Sequence, residues 1–124
     1  MCHDQRVLTA LVVDDHPSFR RFARRLLEAG GFDVVGEAEN GASALARARD
    51  TRPDVVLLDV LLPDCSGFDV ADQLAAEPDQ PIVVLTSSRS ASDLGPSLER
   101  TSAHVFISKR ELTADGLTAL VGRS

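Results

Sequence analysis

Five short apolar runs punctuate the chain: Leu8-Thr9-Ala10-Leu11-Val12-Val13, Asp33-Val34-Val35-Gly36-Glu37-Ala38, Val55-Val56-Leu57-Leu58, Ile82-Val83-Val84-Leu85 and His104-Val105-Phe106-Ile107. Three of them are nearly continuous Val, Leu and Ile. A run of that length has no polar side to offer water, so it reads as a strand buried on both faces of a parallel sheet. The second run alternates and includes a glycine, which puts it nearer an edge.

Helical patterns lie between these runs. The clearest extends from Pro17, a favourable first helical residue, to Glu28, where Gly30-Gly31 stop it. Phe19, Phe22, Ala23, Leu26 and Leu27 form its packed stripe, and Arg20, Arg21, Arg24 and Arg25 take the outer face. Ala42–Arg49, after the Asn40-Gly41 turn, and Phe68–Ala76 read as two more helices. A short last helix follows Thr113, with Leu117, Leu120 and Val121 as its apolar contacts. Between the fourth and fifth runs the pattern is irregular, because Gly95-Pro96 interrupts a helix start at Ser90-Ala91-Ser92-Asp93. Either one turn ends at Leu94 or a short helix begins at Pro96, and weak order is expected there. Strand and helix alternating five times predict an α/β sandwich with right-handed crossovers.

With 124 residues, 44% of them hydrophobic, the chain suits one domain with a genuine core. No apolar run approaches a membrane span, and the first six residues lack a signal-peptide core, so a cytoplasmic, membrane-free protein is expected. The net charge of −6 argues against direct nucleic-acid binding. Cys2 and Cys65 have neither metal-ligand nor CxxC spacing and read as unlinked thiols. Lys109 is the single lysine beside twelve arginines.

In open parallel sheets, ligands sit beyond the carboxyl ends of the strands. The first run ends in Asp14-Asp15, the third in Asp59, the fourth in Thr86-Ser87 and the fifth in Ser108-Lys109. Taken singly, each has an ordinary explanation: Asp15 as a helix cap, Thr86 as a β-branched strand residue, Lys109 as a solvated surface lysine. Asp59 is harder to dismiss, since Val60-Leu61-Leu62-Pro63 does not open a helix. Four strand ends carrying such groups together point to one crevice. Two unit charges 4 Å apart at an effective dielectric near 20 interact by roughly 4 kcal/mol, so such acids raise their pKa values or gather a cation. Oxygen ligands that leave room for water suit Mg²⁺. A cation with open positions, a lysine and a hydroxyl make a receptacle for a phosphoryl group, and a carboxylate beside it can be the nucleophile.

The combination of Val12-Val13-Asp14-Asp15-His16-Pro17, Asp59-Val60-Leu61-Leu62-Pro63 with Gly67 following, Val84-Leu85-Thr86-Ser87 and Phe106-Ile107-Ser108-Lys109 resembles the receiver domain of two-component response regulators over nearly the whole chain. The Asp-Asp-His-Pro segment with Phe19 beyond it is similar to the subfamily that carries helix-turn-helix output domains. The resemblance implies a flavodoxin-like three-layer sandwich, with a five-stranded parallel sheet in the order 2-1-3-4-5 and helices on both faces. It implies a single receiver domain over 1–124, with its core at about 7–122 and no output domain in this chain.

By the same resemblance Asp59 is the phosphoacceptor, and Asp14, Asp15, Asp59 and the Leu61 carbonyl hold Mg²⁺. Lys109 pairs with phosphoryl oxygens, while Thr86 and Phe106 form the switch. Leu61 and Ser88 flank the path of attacking water and tune dephosphorylation; an apolar Leu61 cannot orient that water, so the phosphoryl group should last. Arg110 follows Lys109 where the family often has a proline, and Phe106 lacks a hydroxyl, leaving packing as its only lever. The implied partners are a histidine kinase or phosphotransfer protein, then a downstream protein target or a separate output domain, with a homodimer as a further candidate. The arginines of the first helix read as a solvated face, with a kinase-docking surface as the sharper alternative. The implied function is a phosphorylation-controlled interaction switch, catalytic only towards its own aspartyl phosphate. The alternative is a receiver-like binding module working without phosphorylation. An aspartate-nucleophile phosphatase needs a second acid two residues after the nucleophile, where this chain has Leu61.

Overall fold

The computed structural model describes residues 7–89 and 91–120. Strands β1 (Thr9–Val13), β2 (Asp33–Ala38), β3 (Val55–Asp59), β4 (Ile82–Ser87) and β5 (Val105–Ser108) form one parallel sheet in the order β2-β1-β3-β4-β5. Helices α1 (Pro17–Ala29), α2 (Gly41–Thr51), α3 (Gly67–Ala75), α4 (Ala91–Leu94) and α5 (Pro96–Arg100) fill the connections, and α6 (Ala114–Leu120) follows β5. This is the flavodoxin-like order that the receiver resemblance implies.

The unbroken apolar runs have a direct cause in the layers. Successive side chains of a strand point to opposite faces, so a central strand between two helical layers must be apolar at every position. Ala10, Val12, Val55, Leu57 and Val84 pack on one face with Ala23 and Leu27 of α1 and Leu117 of α6. Leu11, Val13, Val56, Leu58, Val83 and Leu85 pack on the other with Ala44 and Ala48 of α2 and Val70, Ala71 and Leu74 of α3. Burying each such Leu or Val contributes about 1.5–3 kcal/mol. β2 lies at the edge, and only its Val34 and Ala38 are buried, which is why its sequence alternates.

The helix ends follow local chemistry. Pro17 starts α1, and Gly31, at φ 93°, turns the chain back into β2. Asn40 caps α2 by accepting from the Ser43 N–H at 2.8 Å, and the Ser43 hydroxyl returns to the Asn40 N–H. Ser66 caps α3 by accepting from the Phe68 N–H at 3.0 Å.

Several expectations shift. β3 and β4 run one and two residues further than their apolar runs, taking Asp59, Thr86 and Ser87 into the sheet, because pairing continues past the last apolar residue. At Gly95 both readings hold: α4 ends at Leu94, α5 begins at Pro96, and Gly95 takes a positive φ of 55° between them. Phe22 does not enter the core; it is 47% exposed and leans on the Phe19 ring at the margin of the stripe. Nor do the four arginines form one solvated face. Arg20 and Arg24 look onto the edge strand and pair with Glu37 at 3.0 and 3.4 Å, leaving Arg21 and Arg25 exposed. The Lys109–Arg110 peptide is trans, inside a 3₁₀ turn over Lys109–Glu111. Among the described residues no helix is long and apolar enough to cross a membrane. Cys2, Ser90 and Val121 lie outside the described residues.

Gly67 fixes how β3 leads into α3. Its N–H donates to the Val60 carbonyl at 2.6 Å, and a Cβ there would stand 2.2 Å from the Asp59 carbonyl oxygen. Gly67→Ala is therefore expected to cost about 1–3 kcal/mol, the usual penalty of overpacking, read as a lower urea midpoint. An unchanged midpoint would mean that the loop after Asp59 yields freely.

Candidate functional site

Pairing register builds the site. Val13 lies beside Leu58 in the sheet, so the next residues, Asp14 and Asp59, leave adjacent strand ends side by side. Asp59 in turn lies beside Thr86. Asp14, Asp59 and Thr86 share the pleat parity of Val12, Leu57 and Val84, which puts all three in one row at the carboxyl edge of the sheet. Thr86 lies beside Ile107 on β5, and Lys109 stands two residues further on.

Asp14 and Thr86 are fully buried and Asp59 is 5% exposed. Lys109 reaches back over this row: its Nζ lies 2.6 Å from Asp14 Oδ2 and 3.5 Å from Asp59 Oδ2. The Leu61 N–H donates to Asp59 Oδ1 at 3.3 Å. Burial comes first, and the charge of Asp14 second, in pushing the Asp59 carboxyl up to about 6; Lys109 and the Leu61 N–H oppose that shift. One ammonium thus serves two buried carboxylates.

Asp15 is exposed beside them and does not cap α1, whose N-cap is His16. His16 was not singled out by the sequence reading. Its backbone N–H donates to Asp14 Oδ1 at 2.8 Å, and its Nδ1 lies 3.1 Å from Asp14 Oδ1 and 3.1 Å from Asp15 Oδ1. Ligand atoms of Asp14, Asp15, His16 and Asp59 all fall within 4.8 Å of one another. The three carboxylates are a hard oxygen set suited to Mg²⁺. Thr86 Oγ1 is buried with no hydrogen-bond partner among the described residues, as is Ser108 Oγ. A buried hydroxyl left unpaired costs about 1–3 kcal/mol, so Thr86 stands as an unused donor beside Asp59. Leu61 is 73% exposed, and with Ser88 it lines a cleft of about 570 Å³ that also includes Asp15, Asp59, Leu94 and Lys109. Phe106 is half-buried, packed on the α2–α3 side of the sheet with Leu94 and Ala103.

Three further residues support the site. Arg20 donates through Nη1 to the Asp14 carbonyl oxygen at 2.7 Å, pinning the β1–α1 corner. The Asp64 carboxylate accepts from the Gly41 and Ala42 N–H groups at 2.7 and 3.1 Å, tying the loop after β3 to the start of α2. Those two N–H donors hold Asp64 below the usual carboxylate range. Phe19 places its ring centroid 4.2 Å from Lys109 Nζ. His16 follows the acid pair directly and Arg20 lies within a helical turn or two of Asp14, so both stand near it in sequence, whereas the contacts of Asp64 and Phe19 join residues distant in the chain.

The family model described as response regulator receiver domain matches residues 10–121. A Pseudomonas aeruginosa protein named as a transcriptional regulator is 41% identical over 110 residues, which cover 88% of this chain and 53% of that protein. The DNA-binding response regulator MtrA of Mycolicibacterium smegmatis is 43% identical over 91 residues, covering 72% of this chain and 39% of MtrA. The chain thus spans about half or less of the length of these curated relatives. Among solved structures, the signal receiver domain of NarL from Mycobacterium tuberculosis matches with a TM-score of 0.81 at 32% identity, covering 94% of this chain and 98% of that one. A LuxR-family two-component response regulator from Aurantimonas sp. SI85-9A1 matches with a TM-score of 0.81 at 26% identity, covering 95% and 88%.

The raised Asp59 pKa has a sign that stability can report. A carboxyl lifted from 3.8 to about 6 favours the folded state below the unfolded value, and that advantage is lost as pH rises through 6. Asp59→Asn removes the charge, so in metal-free buffer it should gain on the wild type between pH 4 and pH 7. A shift of this size corresponds to about 2–3 kcal/mol. A difference between the two proteins that stays constant across that window would contradict the arrangement.

Proposed function

Because the chain belongs to the response regulator receiver domain family, we propose that it takes a phosphoryl group on Asp59 from the phosphohistidine of a histidine kinase or phosphotransfer protein. The observation that carries this is the row of Asp14, Asp59 and Thr86 with the only lysine bridging its two carboxylates. In the reaction an Asp59 carboxylate oxygen forms a P–O bond as the donor P–N bond breaks, and the leaving imidazole keeps the electron pair. At pH 7 Asp59 is mostly ionised, as a nucleophile must be.

Asp14, Asp15, Asp59 and the Leu61 carbonyl would hold Mg²⁺. The ion supplies charge neutralisation for the phosphoryl oxygens when bound. Lys109 then exchanges carboxylate partners for a phosphoryl oxygen, and Thr86, with no other partner among the described residues, donates its hydroxyl to another. In the family an aromatic at the place of Phe106 follows the inward turn of the residue at Thr86, and Phe106, lacking a hydroxyl, would do so by packing alone. Since Phe106 shares its cluster with Leu94 and Ala103, its movement shifts the α4–β5 surface. That surface is the output, read by a downstream protein, an output domain or a second copy of the chain. Of the relatives, MtrA is named as DNA-binding; the acidic receiver itself is assigned no nucleic-acid contact. The reading puts the chain in the cytoplasm, catalysing only the formation and loss of its own aspartyl phosphate.

Intact mass after incubation with Mg²⁺ and acetyl phosphate tests the reading. The wild type should gain one phosphoryl group, roughly 80 Da, and Asp59→Asn none. A folded wild type that gains nothing from this donor or from histidine kinases would overturn it. Leu61 has no polar atom in its side chain to orient water, so the adduct should persist well beyond seconds after the donor is removed. Loss within seconds would contradict the role given to Leu61.

A further inference from the structure

Lys109 has a third neighbour besides its two carboxylates. Phe19, from the first turn of α1, is partly buried against the α1–α6 core, and its ring centroid lies 4.2 Å from Nζ. Phe22 also neighbours the Phe19 ring, with ring centroids 6.0 Å apart and planes 48° apart. The face of an aromatic ring carries negative potential and attracts an ammonium group, whereas a lysine stem left to itself is flexible. The ring also differs from the carboxylates in what happens to it during phosphoryl transfer. Asp59 loses its carboxylate charge on esterification and Asp14 would be engaged in holding the cation, but the ring is unchanged.

We propose that Phe19 is a positioning residue for Lys109, holding the ammonium beside Asp59 while its carboxylate partners are withdrawn. This rests on the reading of Asp59 as phosphoacceptor. The charge that meets the incoming phosphoryl group is then set by α1 as well as by the 3₁₀ turn carrying Lys109.

The single lysine makes the contact directly observable, because ¹³C-lysine labelling yields one Cε–Hε signal. In the wild type that signal should be shifted upfield by the ring, in Phe19→Tyr it should stay shifted, and in Phe19→Leu it should return to the value of free lysine. Phosphoryl acceptance from acetyl phosphate under saturating Mg²⁺ should slow roughly 3- to 30-fold in Phe19→Leu, the span expected for a cation–π contact, and stay near wild type in Phe19→Tyr. An unshifted signal in the wild type would overturn the proposal. So would a Phe19→Leu protein that accepts phosphoryl at the wild-type rate while the wild type gains its adduct on Asp59. A wild type with a shifted signal that gains no adduct would instead overturn the reading of Asp59, and the role of the ring with it.

Discussion

One ammonium shared by two buried carboxylates is the interaction on which the site depends. Asp14 is fully buried and Asp59 nearly so, and Lys109 contacts both. Burying a charge without compensation is costly, and a single lysine cannot neutralise two acids, still less three with Asp15 alongside. The residual negative charge is what makes the row receptive to a divalent cation. Burial first, and the Asp14 charge second, raise the Asp59 carboxyl to about 6.

The rest of the fold serves to keep that row in register. β1, β3 and β4 are apolar on both faces, so a slip of one residue would drive their ends out of line and empty positions in both cores. Arg20 clamps the β1 end through the Asp14 carbonyl, Gly67 lets α3 close against the Asp59 carbonyl, and Asp64 fastens the intervening loop to α2. The first two bear on the backbone carbonyls of the row's own acids, and the third on the loop that follows β3. These contacts fasten the backbone around the acids without engaging the side chains of Thr86 or Lys109.

Much of this was legible in the sequence, for a physical reason. Central strands between two helical layers cannot hide their composition, and the edge strand betrays itself by alternating. Polar groups directly after such strands must share one edge, so Asp14, Asp59, Thr86 and Lys109 could be grouped before any contact was known. What escaped depends on which helix faces which strand. Arg20 and Arg24 look like solvent-facing residues until α1 is seen beside Glu37 of β2. Phe22 fits the apolar spacing yet lies past the margin of the packed stripe. The Asp64 cap joins residues 23 apart, and no local pattern encodes it. The split at Gly95 was visible as a break, although both local options turned out to coexist.

The most direct test of the central claim is the titration of the Asp59 side-chain carboxyl by ¹³C NMR, with and without Mg²⁺. A buried acid beside Asp14, only partly compensated by Lys109, should titrate at about 6 in metal-free buffer, and Mg²⁺ should move its midpoint down while shifting the signals of Asp14 and Asp15. An Asp59 that titrates near 4 and ignores Mg²⁺ would contradict the account.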